Sequence, residues 1–205
     1  MRKISFITFT LLTIIFGCKK SESTSPTPQV PKYSIRAGDR WVFQVNNTND
    51  SLVLIAKSET TLTINNKSIK FYPIADLTDT PRAYINASDS ILFVFPLSNY
   101  LIFSRLLRAN VNVGDSWEDT TYFAQNTFAV VKTRVDSVNA FEDVPAGSYD
   151  NVIKINQNYY AANEPSPFAT FKFSIKEDVI FVRIIVSFSS GTTDYKLKSY
   201  QRASQ

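Results

Sequence analysis

The stretch Phe171-Lys172-Phe173-Ser174-Ile175-Lys176 alternates apolar and polar side chains with a period of two. Successive side chains of an extended chain point to opposite faces, so the apolar ones here share one face and the polar ones the other. The stretch Val131-Lys132-Thr133-Arg134-Val135-Asp136 has the same alternation. Both stretches predict β-strands with one buried face.

Similar signals extend over the chain from Tyr33 onward, as short runs of β-branched and aromatic residues separated by Asn, Asp, Ser and Gly. Two hairpins are predicted, with Asn65-Asn66-Lys67 and Asn86-Ala87-Ser88-Asp89 as their turns. Near the C-terminus, the almost unbroken apolar run 179–188 predicts a central strand that is covered on both faces.

Only the segment 100–111 leaves the choice between strand and helix open, because Ile102, Phe103, Leu106 and Leu107 have helical spacing. One short helix is allowed there. We expect a mainly β fold of about ten strands with at most one or two short helices, built as an antiparallel curved sheet, a half-barrel or a sandwich.

The tetrapeptide pattern Gly-Asp-x-Trp occurs twice, as Gly38-Asp39-Arg40-Trp41 and as Gly114-Asp115-Ser116-Trp117. We interpret each copy as a glycine-assisted turn in which the Asp bonds nearby backbone and the Trp starts the next strand in the core. Two copies are compatible with a duplicated half or with recurring turn chemistry. The flanking residues show no similarity, which favours recurring turn chemistry.

The N-terminus has a different composition. Arg2 and Lys3 precede the mainly apolar stretch 4–16, which is short of the roughly 20 residues of a membrane-spanning helix but matches the hydrophobic region of a secretory signal peptide. Cys18 is the single cysteine, so no disulfide forms within the chain, and a lone thiol in an exported protein calls for an explanation.

Ile15-Phe16-Gly17-Cys18 resembles the bacterial lipobox. The resemblance implies cleavage before Cys18, a thioether-linked diacylglycerol on that cysteine, and a further acyl chain such as palmitate on the new amino group. Several acyl chains hold a protein on a membrane where one does not. Lys19 and Lys20, in place of the aspartate typical of inner-membrane retention in enteric bacteria, favour the outer membrane, facing the periplasm or the cell surface.

These features divide the chain into a lipoprotein signal peptide (1–17), a lipidated cysteine with a flexible tether (18–32) and a single β-rich domain (33–205). The tether is polar and contains Ser21-Glu22-Ser23-Thr24-Ser25-Pro26-Thr27-Pro28, a composition that keeps a segment extended.

The two tetrapeptides, together with Asp143-Val144-Pro145-Ala146-Gly147-Ser148-Tyr149 and Val152-Ile153-Lys154-Ile155, are similar to a pattern in uncharacterised β-rich envelope lipoproteins of Bacteroidetes. The shared motifs are turns and strand starts. The resemblance therefore implies a fold and not an activity.

Composition excludes several kinds of site. The chain has no histidine and one cysteine, so Ser-His-Asp, Cys-His and His-based zinc sites are excluded. Its five glycines are too dispersed for a P-loop or a dinucleotide-binding loop. Without Arg2 and Lys3, 20 basic residues face 18 acidic ones, and this balance indicates no nucleic-acid partner. We expect no enzyme, no cofactor and no metal.

Carboxylates are the remaining catalytic candidates. They occur as adjacent pairs, whose members point to opposite faces of a strand and are poorly placed to share one substrate. We interpret them as solvated charges in turns. The pairs are Glu118-Asp119, Glu142-Asp143 and Glu177-Asp178.

Aromatic residues are the candidates for ligand binding, since their rings stack on sugars or line apolar pockets. The candidates are Trp41, Trp117, Tyr122, Tyr159 and Tyr160. We expect both Trp residues in the core. Tyr159 and Tyr160 stay as possible ligand-binding residues, because at most one of two neighbours on a strand faces a single core.

One serine is a candidate for modification. Asp89-Ser90-Ile91 resembles the O-glycosylation sequon of exported Bacteroidetes proteins, and Ser90 lies in a predicted turn.

We expect a non-enzymatic, membrane-anchored envelope lipoprotein that acts as a binding or accessory module. We expect it to contact the membrane through the lipid on Cys18. We also expect it to bind an envelope protein, a lipid or a glycan. A first alternative is a carrier of a hydrophobic ligand in a β half-barrel, which requires a large apolar cavity. A second is a carbohydrate-binding or carbohydrate-active protein.

Replacement of the anchor residue tests the lipobox. Cys18→Ser removes the thiol that carries the diacylglycerol, so we expect release of the protein from membranes and loss of labelling by a fatty-acid probe. Ser23→Ala in the tether is the control and should change neither. Unchanged fractionation and labelling of the Cys18→Ser protein would contradict the lipid anchor.

Overall fold

The computed structural model describes residues 32–124 and 127–204, which belong to a single compact unit spanning 31–205. All regular structure in the described residues is β, and no helix forms there. The strands, in chain order, are β1 (Arg40–Val45), β2 (Ser51–Ala56), β3 (Thr60–Ile64), β4 (Lys67–Ala75), β5 (Pro81–Ala87), β6 (Ile91–Leu97), β7 (Tyr100–Leu107), β8 (Ser116–Ala124), β9 (Thr127–Val144), β10 (Gly147–Ala161), β11 (Ala169–Lys176), β12 (Ile180–Phe188) and β13 (Gly191–Gln201).

The strands form one antiparallel sheet in the order β7-β6-β5-β4-β2-β1-β13-β12-β11-β10-β9-β8, while β3 pairs with β4 outside this path. The order comprises two six-stranded meanders, one ending at β7 and the other starting at β8. A backbone ladder between β1 and β13 joins them. The sheet curves into an almost closed barrel, which confirms the predicted mainly β, curved antiparallel fold.

The alternation that predicts half-buried strands is confirmed for β9, and for β11 except at Ser174, which is buried on the polar face because it bonds to Glu142. Val131, Thr133 and Val135 of β9 are buried, and the residues between them are exposed. Both predicted hairpins form, as β3–β4 and β5–β6. The β3–β4 turn has φ of 48° at Asn65 and 62° at Asn66, the left-handed conformation that two-residue hairpin turns require and that Asn tolerates.

The helical spacing in 100–111 is misleading, because residues Tyr100–Leu107 form strand β7. Ile102, Ser104 and Leu106 alternate into the interior. Pairing with β6 along the length of the strand overrides the local spacing, as tertiary context commonly does.

The expectation that β12 is covered on both faces holds only for its first part. Ile180, Phe181 and Val182 are buried in succession, whereas Arg183 to Ser187 are half-buried and Phe188 is exposed. The long β9–β10 hairpin causes the difference, because its tip reaches strands beyond its own neighbours. There the Ala146 backbone N–H donates to the Leu197 carbonyl at 2.9 Å.

The two Gly-Asp-x-Trp copies form the same structure, as predicted. In each, the Asp carboxylate accepts a hydrogen bond from the backbone N–H three residues earlier, at 2.9 Å from Arg36 and 2.8 Å from Asn112. In the first copy, the Gly N–H donates a hydrogen bond to β2, which pairs with β1. In the second copy, it donates to β9, which pairs with β8. Both Trp side chains are buried.

The copies precede β1 and β8, the first strands of the two meanders. They thus occupy equivalent positions in the fold. This placement favours the duplicated-half interpretation over simple recurrence of turn chemistry, although the sequence around the copies shows no similarity.

Side chains, and not a backbone ladder, join the two ends of the sheet. Trp117, Asp119 and Thr121 alternate along β8, and all three are buried against β7. The Trp117 Nε1–H donates to the Arg105 carbonyl at 2.6 Å, and Asp119 accepts from the Arg105 backbone N–H at 2.8 Å and from its Nε at 2.7 Å. The Thr121 hydroxyl accepts from the Phe103 N–H at 2.9 Å. We call this set of contacts the β7–β8 seam.

The seam solves the problem of a free sheet edge. An unpaired backbone group costs about 1–3 kcal/mol when buried, and an exposed edge invites pairing with another chain. Three side chains of β8 provide hydrogen-bond partners for backbone groups at the edge of β7, and they thereby complete the barrel wall.

Loss of the seam carboxylate should destabilise the barrel. Asp119→Ala leaves the Arg105 N–H without its acceptor and the guanidinium without its partner, so we expect the free energy of unfolding to fall by about 2–3 kcal/mol. Glu118→Ala, on the opposite face of β8, is the matched control and should change it by about 0.5 kcal/mol or less. Urea denaturation measures both. Equal effects of the two variants would show that the seam does not stabilise the fold.

Candidate functional site

One end of the barrel is filled by the segments that begin and end the domain. The chain enters at Lys32, and the Tyr33 N–H donates to the Ser88 carbonyl of the β5–β6 turn at 2.8 Å. Burial, and then the charge of Glu177, raise the pKa of Tyr33 to about 12. Asp39 accepts from the Ala203 N–H at 2.8 Å, which ties the two segments together. We call this the closed end.

The other end carries the β1–β2, β4–β5 and β12–β13 turns, and an apolar cavity of about 410 Å³ lies next to it. Strand periodicity produces the lining, because residues two apart on one strand point inward together. Such pairs come from β2, β6, β11 and β12. They are Leu52 and Leu54, Phe93 and Phe95, Phe171 and Phe173, and Ile184 and Val186.

Further lining comes from Phe43, Ile74, Ala83, Phe181, Phe188 and Tyr195, and Arg82 is the one charged member among the described lining residues. Phe188 is 38% exposed at the end of β12. Leu52, Arg82 and Phe188 lie beside the three turns, and we call this end the mouth.

Aromatic contacts across the interior limit the cavity to one side of the barrel. The rings of Phe95 and Phe171 meet edge to face at 4.9 Å between centroids, and those of Phe93 and Phe173 at 5.4 Å. Edge-to-face pairs of this kind stabilise beyond the area they bury. They join β6 to β11, and the side towards β7–β10 is filled.

A buried polar cluster occupies the filled side. The Gln157 Nε2 donates to the Thr133 hydroxyl at 3.0 Å and to the Ser104 hydroxyl at 3.2 Å, and the Tyr159 hydroxyl donates to Gln157 Oε1 at 2.8 Å. Buried polar groups are tolerated when they are paired in this way. The cluster links β7, β9 and β10 inside the wall that the seam closes.

The structure separates the two predicted ligand-binding tyrosines. Tyr159 is 0% exposed, and burial raises the pKa of its hydroxyl. It packs on the rings of Phe95 and Phe171 but does not line the cavity. Tyr160 points outward, half-buried, with Lys132 Nζ 5.1 Å from its ring centroid. At most one of the two faces the core, as predicted, but Tyr159 offers no platform to a ligand outside.

The other predicted sites lie away from the cavity. Ser90 sits in the β5–β6 turn at the closed end and is partly buried. Cys18, the proposed lipidation site, lies outside the described residues. Both assignments stay predictions.

A second, shallower depression of about 490 Å³ lies on β8, β9 and β10. Its lining is polar and charged apart from Trp117, and the side-chain Oδ1 of Asn156 is buried there without a hydrogen-bond partner. We call it the outer groove. It includes Glu118, Lys132, Arg134, Asn156 and Asn158.

The interpretation of the acidic pairs as solvated turn charges is wrong for two of the three. Glu118-Asp119 and Glu142-Asp143 lie within strands, where Asp119 and Glu142 are buried and their neighbours exposed. Both buried carboxylates are held by cationic partners. Glu177 and Asp178 are exposed in the β11–β12 turn, as predicted.

Glu142 anchors the hairpin tip to the outside of the cavity wall. Its carboxylate accepts from Lys154 Nζ at 2.8 Å, Arg183 Nη1 at 3.0 Å and the Ser174 hydroxyl at 2.9 Å. Burial opposes the charge on Glu142, but these donors outweigh it and lower the pKa of the carboxyl below its ordinary value.

A fixed arginine at the mouth was missed from the sequence. The Asp76 Oδ1 accepts from the Thr78 N–H and hydroxyl at 2.9 and 2.6 Å, while its Oδ2 accepts from Arg82 Nε at 2.8 Å. The Thr78 hydroxyl, with Arg82 and the backbone donors, lowers the pKa of Asp76 despite partial desolvation. The signal was the Asp and Thr residues of the β4–β5 turn, a composition typical of Asx turns.

Neither a metal-binding cluster nor a membrane-spanning helix is found in the described residues. In 32–124 and 127–204, no group of three or more His, Cys, Asp or Glu side chains is placed to hold a metal ion. No helix in those ranges has the length and apolarity needed to cross a membrane. Comparison with protein-family models, with curated proteins and with solved structures gives no match.

The lowered pKa of Glu142 predicts a pH-dependent contribution to stability. Since the folded-state pKa lies below the unfolded value of about 4.3, the contribution is complete above that pH and is lost as pH falls through the folded-state pKa. At pH 7, Glu142→Gln should lower the free energy of unfolding by about 3 kcal/mol. The difference from the native protein should shrink steadily below about pH 4.

Asp143→Asn, on the exposed face of the same strand, is the control for this experiment. Denaturant titrations at several pH values measure the difference. A Glu142→Gln effect that stays constant down to pH 3 would contradict the ion-pair explanation.

Proposed function

We propose that this chain is a non-enzymatic, membrane-anchored envelope lipoprotein whose barrel binds and carries a hydrophobic ligand. One observation carries the proposal, namely the apolar cavity of about 410 Å³ at the mouth. Ligand pockets span about 300–1,000 Å³ and are mostly apolar with a few polar groups at chosen places. The cavity has this size and this composition.

The lining also favours a ligand over a defect in packing. Protein interiors are close-packed and contain few voids larger than a water molecule. Here seven phenylalanines surround an open space, and the barrel wall beside it is fixed by the Glu142 contacts. An apolar ligand gains about 0.8 kcal/mol for each methylene it buries.

The path of the chain supports an anchored carrier. The chain enters the barrel at Lys32, at the closed end, where Tyr33 is buried. A tether that leads there from Cys18 leaves the mouth open to a membrane or to a partner protein of the envelope. The ligand exchange would take place at the end opposite the attachment point.

Carbohydrate binding at the outer groove is the second candidate. The unpaired Oδ1 of Asn156 favours it, because a buried acceptor without a partner is satisfied by the hydroxyl of a ligand. Asn158 and Lys132 line the same depression, and Lys132 lies over the ring of Tyr160.

Narrowing of the cavity tests the carrier. The soluble barrel, residues 31–205, should bind the uncharged fluorescent probe N-phenyl-1-naphthylamine. Ile184→Trp places a large ring in the cavity and should weaken probe binding roughly tenfold or more. Ile185→Trp is the matched control, since its side chain points to the opposite face of β12 and does not line the cavity, and it should leave binding unchanged.

Fluorescence titration measures the probe affinity. Absence of saturable binding, or equal effects of the two tryptophans, would overturn the carrier. Binding to a glycan array that survives Ile184→Trp would support the outer groove instead.

A further inference from the structure

We propose that the cavity takes a single-chain amphiphile with an anionic head group, and that Arg82 holds the head group at the mouth. This inference rests on the proposed carrier function and adds the chemical class of the ligand. It follows from the charge, the position and the fixation of Arg82, together with the shape of the cavity.

The lining of the cavity carries one charge, and the carboxylate nearest to that charge, that of Asp76, is bound to it. Arg82 is the single charged residue among the described lining residues, which otherwise are apolar side chains and Tyr195. No carboxylate among them would attract a cationic head group. An anionic head group would contact the guanidinium of Arg82, whose five N–H donors suit carboxylate and phosphate groups.

Arg82 is held in place before any ligand arrives. Its Nε and Nη2 contact Asp76 Oδ2 at 2.8 and 2.6 Å. The Asp76 Oδ1 is occupied by Thr78 and by the Thr80 N–H at 3.2 Å. These contacts use one edge of the guanidinium and leave the edge at Nη1 available. Preorganisation of this kind lowers the entropic cost of binding.

Arg82 lies at the boundary between cavity and solvent. Its side chain is 58% exposed, and the residue lines the cavity beside Ala83 at the point where the β4–β5 pairing shifts register, so the strict alternation of the strand is interrupted there. A long cationic side chain at such a boundary packs its stem on apolar surface and keeps its charge in water. A head group bound there stays partly hydrated, which avoids the large cost of burying a charge.

The cavity extends along β12. Its lining on β12 runs from Phe181 to Phe188, about 23 Å of extended chain at roughly 3.3 Å per residue. A volume of about 410 Å³ spread along that length has room for one hydrocarbon chain, not two. This favours a fatty acid or a lysolipid over a two-chain phospholipid.

Displacement of the uncharged probe by matched twelve-carbon ligands tests the inference. The soluble barrel is titrated with laurate, dodecanol and dodecylammonium. We expect laurate to displace the probe at a concentration roughly tenfold lower than dodecylammonium, a difference of about 1.4 kcal/mol. Arg82→Gln should abolish this preference, which is expressed for each variant as the ratio of the laurate and dodecylammonium concentrations that displace half of the probe, so that a change in probe affinity cancels. Arg82→Lys, which keeps the charge, should retain part of the preference.

Lys57→Gln is the matched control, because Lys57 pairs with Asp79 of the same β4–β5 turn but does not line the cavity. It should leave the preference for laurate intact. A thermal transition for each variant establishes that it is folded.

The outcomes separate the inference from the proposed function. Probe binding without a preference for laurate, or a preference that survives Arg82→Gln, would overturn the role of Arg82 and leave the carrier standing. Failure of the barrel to bind the probe or any of the three ligands would overturn both.

Discussion

The barrel depends on three side chains that take the place of a strand. Trp117, Asp119 and Thr121 of β8 bond to the backbone of β7 at Phe103 and Arg105 at 2.6 to 2.9 Å, and Asp119 also accepts from the Arg105 Nε at 2.7 Å. The other junction of the two meanders is an ordinary backbone ladder between β1 and β13. Without the β7–β8 seam, the sheet would keep a free edge and an uncovered interior. With it, the inward-facing apolar side chains of the twelve strands along the path enclose one space, while β3 packs in a separate apolar cluster with Phe71 and Val94.

That space is divided unequally. The Gln157 cluster and Tyr159 fill the side near the seam, and the phenylalanine pairs between β6 and β11 form the boundary. The remaining volume, about 410 Å³, opens at the mouth. Because the closed end is filled by Tyr33 and Trp41, the mouth is the natural route for a ligand. The wall beside it is stiffened from outside by Glu142.

Local periodicity predicts much of this fold. The alternation in β9 and β11, the Asn-rich turns and the two Gly-Asp-x-Trp turns depend on neighbours in sequence, so they can be read from it. The strand β7 is different, since its helical spacing is overridden by pairing with β6. Long-range contacts decide such cases.

The candidate site depends on the same long-range contacts. Asp119 and Glu142 look like surface charges in the sequence, but the seam and the hairpin tip bury both. In the sequence, Tyr159 looks like a possible ligand-binding residue. In the structure, the residues around Tyr159 bury it completely. The position of Arg82 beside the cavity cannot be predicted from the sequence, because it depends on the β4–β5 turn that holds the side chain there. Aromatic abundance suggests a cavity, but the place of the cavity and its single charge depend on side chains that β5, β6, β11 and β12 bring together.

Native mass spectrometry of the barrel, released by proteolysis from cells that express the full chain, tests the central claim most directly. The barrel is purified without detergent, so that a bound molecule is retained. We expect a population whose mass exceeds that of the polypeptide by one single-chain lipid, and whose excess is lost on unfolding. A bare polypeptide mass in every preparation, from a barrel that is folded and freshly released from those cells, would contradict the proposed carrier.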